Sequence, residues 1–246
     1  MKRLLLPLAL ALAWEALAHS PLGDPLYSPS LLQIGGALVE LVSSGELWAH
    51  LRASALRLAG GFTLALITAV PFGLVLGFSE PLKRHLMPLV DLMRSFPSIT
   101  LVPVAIVWFG IGDLAKAFLV AYACFWPMLL NTVTGVQETS PVLLRAARVM
   151  EIDGFALLSK VILPSAIPSI LTGVRISLAV SVIVLIVSEM VAATSGIGFL
   201  ILDAERNYLT GKMFAGVLVM GLIGALLNAL AQLAERYLLD YRGSAP

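Results

Sequence analysis

Charge is scarce in this sequence: Asp, Glu, Lys and Arg together make up 13% of its 246 residues. A soluble domain carries roughly twice that share, so a water-soluble enzyme or binding module is not the default. There is one cysteine, Cys124, which excludes an intrachain disulfide and a cysteine-ligated metal centre. Set in an apolar run, it reads as a packed small residue. The three histidines, His19, His50 and His85, fall at loops or span ends without ligand spacing. None has an in-span Ser or Asp beside it, so no nucleophile–base pair, no catalytic residue and no metal ligand is expected. The phosphate-cradling pattern G-x-x-x-x-G-K-[ST] is missing. A net charge of +1, with no basic stripe interleaved with aromatics, gives no reason to expect nucleic acid. No internal repeat or low-complexity tract is found.

Apolar residues dominate instead, at 59%, and they come in long runs. The fold class expected is all-α: a polytopic membrane protein of about six transmembrane helices. Lys2 and Arg3 followed by Leu4–Ala18 resemble a signal peptide, but Trp14 and Glu15 interrupt the run, and it reads as a short span that is retained. Ser20–Gly35 is a loop, and Gly36–Arg57 is too charged to span and reads as interfacial helix. Leu58–Phe78 is free of charge and long enough for one hydrocarbon thickness of about 30 Å. Its glycines Gly60, Gly61, Gly73 and Gly77 favour close helix packing, and Pro71 is expected to kink it. Leu86–Ile111 carries Pro88, Pro97 and Pro103, which predicts a broken or bent span whose freed carbonyls need other donors. Ala117–Val136, Ser169–Thr194 and Met213–Ala234 complete the set, and Glu235–Pro246 reads as a polar tail. By organisation, residues 1–57 form an N-terminal span plus an extracytoplasmic or interfacial segment, and residues 58–240 form the transmembrane core. With the N-terminus in the cytoplasm, Lys and Arg divide eleven inside to five outside. Both termini are then cytoplasmic.

One stretch breaks the apolar pattern. Ser140–Pro168 reads as two short helices, the first capped by Ser140 with Pro141 at its first position. Val142, Ala146 and Val149 share one face of it, with Arg145 and Arg148 off that face. Asp153 is expected to cap a second helix, Gly154–Lys160, and Pro164 and Pro168 to fix the chain before the next span. It reads either as a solvated loop lying on the membrane surface or as a docking element for a partner outside the bilayer, and on the charge count it is cytoplasmic.

The loop resembles the EAA loop of ABC-importer permeases, whose pattern is Glu-Ala-Ala, three residues, Gly, nine residues, Ile-x-Leu-Pro. Ala146 and Ala147 match the alanines, Leu163 and Pro164 match Leu-Pro, and Val161 stands for Ile. Arg145 stands at the Glu position and Glu151 at the Gly position; Gly154 could serve the turn if it moved by three residues. The likeness extends to the nitrate, sulfonate and taurine branch. It is carried by Trp14-Glu15, Ser28-Pro29-Ser30, Phe96-Pro97, the run Leu101–Gly112 containing Trp108-Phe109-Gly110-Ile111-Gly112, Gly173-Val174-Arg175, Ser188-Glu189-Met190 and Gly196-Ile197-Gly198.

The resemblance implies an importer permease of the type I fold in a prokaryotic inner membrane. It implies no cofactor on this chain, and ATP with Mg on a separate ATP-binding subunit present in two copies. A second permease copy, as a homodimer, and an extracytoplasmic solute-binding protein complete the implied partners beside the lipid bilayer. Arg145, Ala146, Ala147, Arg148, Glu151, Gly154, Leu163 and Pro164 would form the coupling contact with the ATPase. The solute would be nitrate-, sulfonate- or taurine-like, or a vitamin precursor.

Charges inside spans cost roughly 2.5–3.5 kcal/mol each at mid-membrane and need partners or water. Asp91 and Arg94 can satisfy each other at a spacing of three, and Arg175 is expected to cap or pair locally. Glu189 is read as a gate or packing residue. Trp108, Phe109, Tyr122 and Trp126 are read either as lining a pathway or as packing and interface aromatics. A proton-coupled secondary transporter is the alternative, for which only Glu189 is placed.

Overall fold

Long apolar runs fold into long helices because lipid offers the backbone no hydrogen bonds. The computed structural model describes residues 12–20 and 27–243 together with residue 9, with side chains to Tyr237. The span expected at Leu4–Ala18 lies largely outside the described residues; residues 12–18 form the helix α1. Then follow α2 (Leu31–Ser43), α3 (Glu46–Phe78), α4 (Glu80–Arg94), a short tight helix at Ser98–Leu101, α5 (Val102–Phe109) and α6 (Asp113–Gln137). After these come α7 (Pro141–Val149), α8 (Gly154–Leu157), α9 (Leu163–Ala192), α10 (Ile197–Arg206) and α11 (Thr210–Gly243). Among the described residues, four helices are long and apolar enough to cross a membrane, or five if the bent pair Glu80–Arg94 and Ser98–Phe109 is one span.

The chain divides into two compact units. One comprises residues up to Ala55 with Glu189–Ile223; the other comprises Leu56–Ser188 with the chain from Gly224 onward.

In the second unit, α6 is the most buried helix, with Val120, Cys124, Met128, Leu129 and Val133 in a core shared with Ala65, Ala69 and Leu76 of α3 and Leu185 of α9. Glycine brings these helices together. A Cβ on Gly61 would lie 2.5 Å from the Ala117 carbonyl oxygen, and one on Gly73 would lie 2.7 Å from Thr132 Cβ. Gly77 meets Val136 in the same way, whereas Gly60 faces open space. Between α6 and α9, Gly135 and Gly173 make the matching approach, and Cys124 and Ser177 exchange hydrogen bonds between the two helices.

The proline-rich span is broken, as its composition predicts, with its two parts at 80°. Pro97 has no N–H to return to the Met93 carbonyl four residues earlier, which accepts from the Phe96 N–H at 3.2 Å instead. The Tyr122 hydroxyl on α6 donates to that carbonyl at 2.5 Å. Thr100 Oγ1 donates to Pro97 O at 2.7 Å. Asp91 and Arg94 pair at 2.9 Å, and Arg175 pairs with Glu235 of α11 at 3.5 Å.

Several expectations are corrected. The segment 46–57 is not a separate interfacial helix. It is the first part of α3, whose 33 residues run to about 50 Å. Two of its charges face partners, Arg57 meeting Asp113 at 2.6 Å and Glu46 meeting Lys212 at 2.8 Å, and Arg52 is exposed. Pro164 and Pro168 do not break the chain either, since helix continues from Gly154 to Ala192. A widened turn at Leu158–Ile162 precedes Pro164 and absorbs the missing donor. The segment after Glu235 continues as helix to Gly243 rather than leaving the fold as a tail.

Candidate functional site

The polar loop after α6 is built on caps. Ser140 accepts from the Val142 N–H at 3.3 Å and Pro141 opens α7. The helix closes with paired bonds, Ile152 N–H to Ala147 O at 2.9 Å and Glu151 N–H to Arg148 O at 3.1 Å. That pairing requires a left-handed residue between them, and Glu151 supplies it with φ 54°. The glycine position of the loop therefore keeps its left-handed backbone although glycine is absent. Gly154 is also left-handed, at φ 53°, so the turn has not moved; a second one follows. Asp153 precedes α8, but its side chain makes no capping bond.

The face expected to be apolar points outward: Val142, Ala146 and Val149 are exposed, Val149 at 86%. Ala147 is the buried residue, at 3%, and Leu144 packs beside it toward Val136, Ile162 and Ala166. Ala146, Ala147 and Pro164 line one groove of about 400 Å³ with Met150, Ile152 and Val161. Arg148 lines a different cleft of about 430 Å³ with Glu80 and Gln137. Arg145, Glu151 and Gly154 are exposed, while Leu163 is half-buried with the core. Thr139 and Ser165 hydrogen-bond at 3.1 Å, joining the loop's start to α9.

The aromatic candidates fall into one continuous row in the second unit. Trp108 and Phe109 of α5 pack on Phe118, which leads to Tyr122 and then Trp126 at 5.4 Å between ring centres. Phe118, Tyr122 and Trp126 recur every four residues and so share one face of α6. Phe118 was not singled out from the sequence, although that spacing contains it. Trp108 is 67% exposed at the row's end.

Glu189 belongs to the first unit and is wholly buried there. Its carboxylate accepts from the Ser54 hydroxyl at 2.9 Å and from the Gly198 N–H at 3.0 Å. Ser54 Oγ accepts from the Ile197 N–H at 2.9 Å, and His50 Nδ1 from the Gly196 N–H at 3.0 Å. Three successive free amides at the start of α10 are thus each given a side-chain acceptor, and the carboxylate sits where the helix dipole favours it. His50 and Ser54 were missed. Glu46, His50 and Ser54 do recur every four residues, a polar stripe readable as one helix face.

Trp14-Glu15 and Pro29-Ser30 also meet. Trp14 Nε1 donates to Pro29 O at 3.0 Å, and Glu15 accepts from Leu31 N–H at 2.7 Å. Ser30 and Gln33 close a capping box at the start of α2.

Among the described residues, no group of three or more His, Cys, Asp or Glu could hold a metal ion.

The chain is similar to known proteins along most of its length. A family profile described as "Binding-protein-dependent transport system inner membrane component" matches residues 50–240. A Bacillus subtilis protein named as an aliphatic sulfonates transport permease is 35% identical over 244 residues, covering 99% of this chain and 88% of the relative. The taurine transport system permease protein of Escherichia coli is 32% identical over 235 residues, covering 94% and 86%. The nitrate import permease protein of Leptolyngbya laminosa is 31% identical over 186 residues, covering 76% and 66%. Among solved structures, the inward-facing methionine ABC transporter matches with a TM-score of 0.68 at 19% identity, over 78% of this chain and 95% of that one.

Proposed function

Because the chain belongs to the family of binding-protein-dependent transport system inner membrane components, and is a permease subunit of an ABC importer, we propose that it moves a small oxyanionic solute of the sulfonate, taurine or nitrate kind. The named solutes of its relatives support that class. The chain carries no phosphate-binding loop of its own, so the energy comes from a partner ATP-binding subunit. We take this complex to hold two copies of the ATPase, two of the permease, and an extracytoplasmic solute-binding protein that hands the solute over. Both termini and the Ser140–Pro168 loop face the cytoplasm in this reading, on the distribution of Lys and Arg.

The single observation that carries the coupling assignment is the exposed apolar face of α7. Val142 and Val149 stand in solvent on a helix whose far end is anchored by Ala147 and by the paired bonds at Glu151. An anchored helix with an uncovered apolar face fits a groove on a partner. Arg145 and Arg148 flank that face and would meet acids on the ATPase. ATP-driven closure of the ATPase pair would push α7 and α8, and the continuous helix Gly154–Ala192 would carry the displacement into the span as a lever. The aromatic row from Trp108 to Trp126 is proposed as one wall of the solute path, and Glu189 as the fixed point of a gate. The proton-coupled alternative finds no support among the relatives.

The test is co-purification. The chain, tagged at its C-terminus and extracted in mild detergent, should bring down a Walker-motif ATPase and a second copy of itself. Recovery of the folded chain alone from several detergents would overturn the proposal.

A further inference from the structure

We propose that His50 is a proton-sensitive latch that holds the start of α10 while neutral and releases it when protonated. The backbone fixes the chemistry. An amide N–H can only donate, so the ring nitrogen that meets Gly196 N at 3.0 Å must carry a lone pair. The other nitrogen then bears the proton, and it faces the Glu46 carboxylate at 3.7 Å. Protonation makes both ring nitrogens donors and sets one N–H against another at Gly196.

The surroundings make that contact consequential. Gly196 is the N-cap of α10 and holds φ 114°, a left-handed backbone. Ile197 and Gly198 are tied by Ser54 and Glu189, so Gly196 is the first of three linked contacts, and the one whose acceptor is an imidazole nitrogen that can take up a proton. The charged groups around the ring act in opposite senses. Glu46 on α3 draws the imidazolium toward itself, and Lys212 on α11 holds that same carboxylate at 2.8 Å and opposes the draw. Glu189 on α9 lies one hydrogen bond further on, through Ser54. From α10 the ring meets Phe199, 5.9 Å between ring centres, which brings no charge. On acidification the imidazole leaves Gly196 for Glu46, and the corner between α9 and α10 loosens.

The test reads that corner directly and needs no transport. The full chain in lipid nanodiscs is followed by hydrogen exchange at residues 196–198, corrected for the intrinsic pH dependence of exchange, between about pH 7.5 and about pH 5. Protection in the wild type should fall about tenfold or more across this range. His50→Asn puts an amide oxygen where Nδ1 stood and cannot be protonated there, so its protection should stay high at both ends. His50→Ala should be unprotected at both ends. Wild-type protection that does not change with pH, a fall in His50→Asn matching the wild type, or full protection in His50→Ala would each overturn the proposal.

Discussion

The Glu189 carboxylate occupies the space that any side chain on Gly196 would need. The two residues are seven apart in sequence, one ending a long span and the other capping the next helix, and each explains the other. Gly196 also holds φ 114°, where an L side chain is strained. Gly196→Ala is therefore expected to cost about 2 kcal/mol or more, from overpacking and backbone strain together. Thermal unfolding of the purified chain checks this. Gly36→Ala, inside α2 where an added methyl would meet nothing within 4 Å, should not destabilise and should gain up to about 1 kcal/mol from helix propensity.

Glu151 offers the opposite sign. It holds a left-handed backbone at φ 54° on an exposed site, where a non-glycine residue costs roughly 1–2 kcal/mol. Glu151→Gly should stabilise the chain by about 1 kcal/mol, seen as a higher unfolding temperature. Glu151→Ala keeps the Cβ and should not.

Tyr122 is a second donor to the Met93 carbonyl, beside the Phe96 N–H. Tyr122→Phe keeps the aromatic row and removes only the hydroxyl that reaches Met93 O. Loss of that bond should cost about 1–2 kcal/mol and raise hydrogen exchange around residues 93–97. An unchanged unfolding temperature together with unchanged exchange would show that the break is satisfied in another way.

Much of this architecture was legible because it is local. Runs without charge marked the spans and three prolines marked the broken one; Gly60, Gly61, Gly73 and Gly77 marked close packing without naming the partner, and all but Gly60 make it, against α6. The loop was legible by the Ser140 cap and by Ala146-Ala147 and Leu163-Pro164, whereas the cap expected at Asp153 does not form. What was not legible depended on distant partners. The first turns of α3 look too polar to continue a span until Glu46 finds Lys212 and Arg57 finds Asp113. Glu189 looks like a lone charge in an apolar run, because Ser54 lies 135 residues away. The apolar face of α7 was readable, but not its direction: its neighbours from α6 and α9 bury Ala147 and leave Val149 outside. The glycine position filled by Glu151 suggested a shifted turn, yet the paired backbone bonds hold the left-handed residue in place.

Arg145 stands where the loop pattern has Glu, and its side chain lines neither neighbouring groove. Arg145→Glu reverses a charge on the exposed flank of α7 and should lower solute-stimulated ATP hydrolysis by the reassembled complex about tenfold, with the unfolding temperature unchanged. Unaltered stimulation and unaltered assembly would show that Arg145 does not contact the ATPase.

The most direct measurement asks what covers Val149. Cys124 is buried, so a cysteine placed at Val149 is the one accessible thiol of the chain. Membranes holding the assembled complex would be treated with a short thiol-to-amine cross-linker. A product joining Val149→Cys to the ATP-binding subunit is expected, and none from a cysteine at Leu222, an exposed position of α11. In membranes whose ATPase responds to solute, a failure of Val149→Cys to reach that subunit would contradict the coupling assignment.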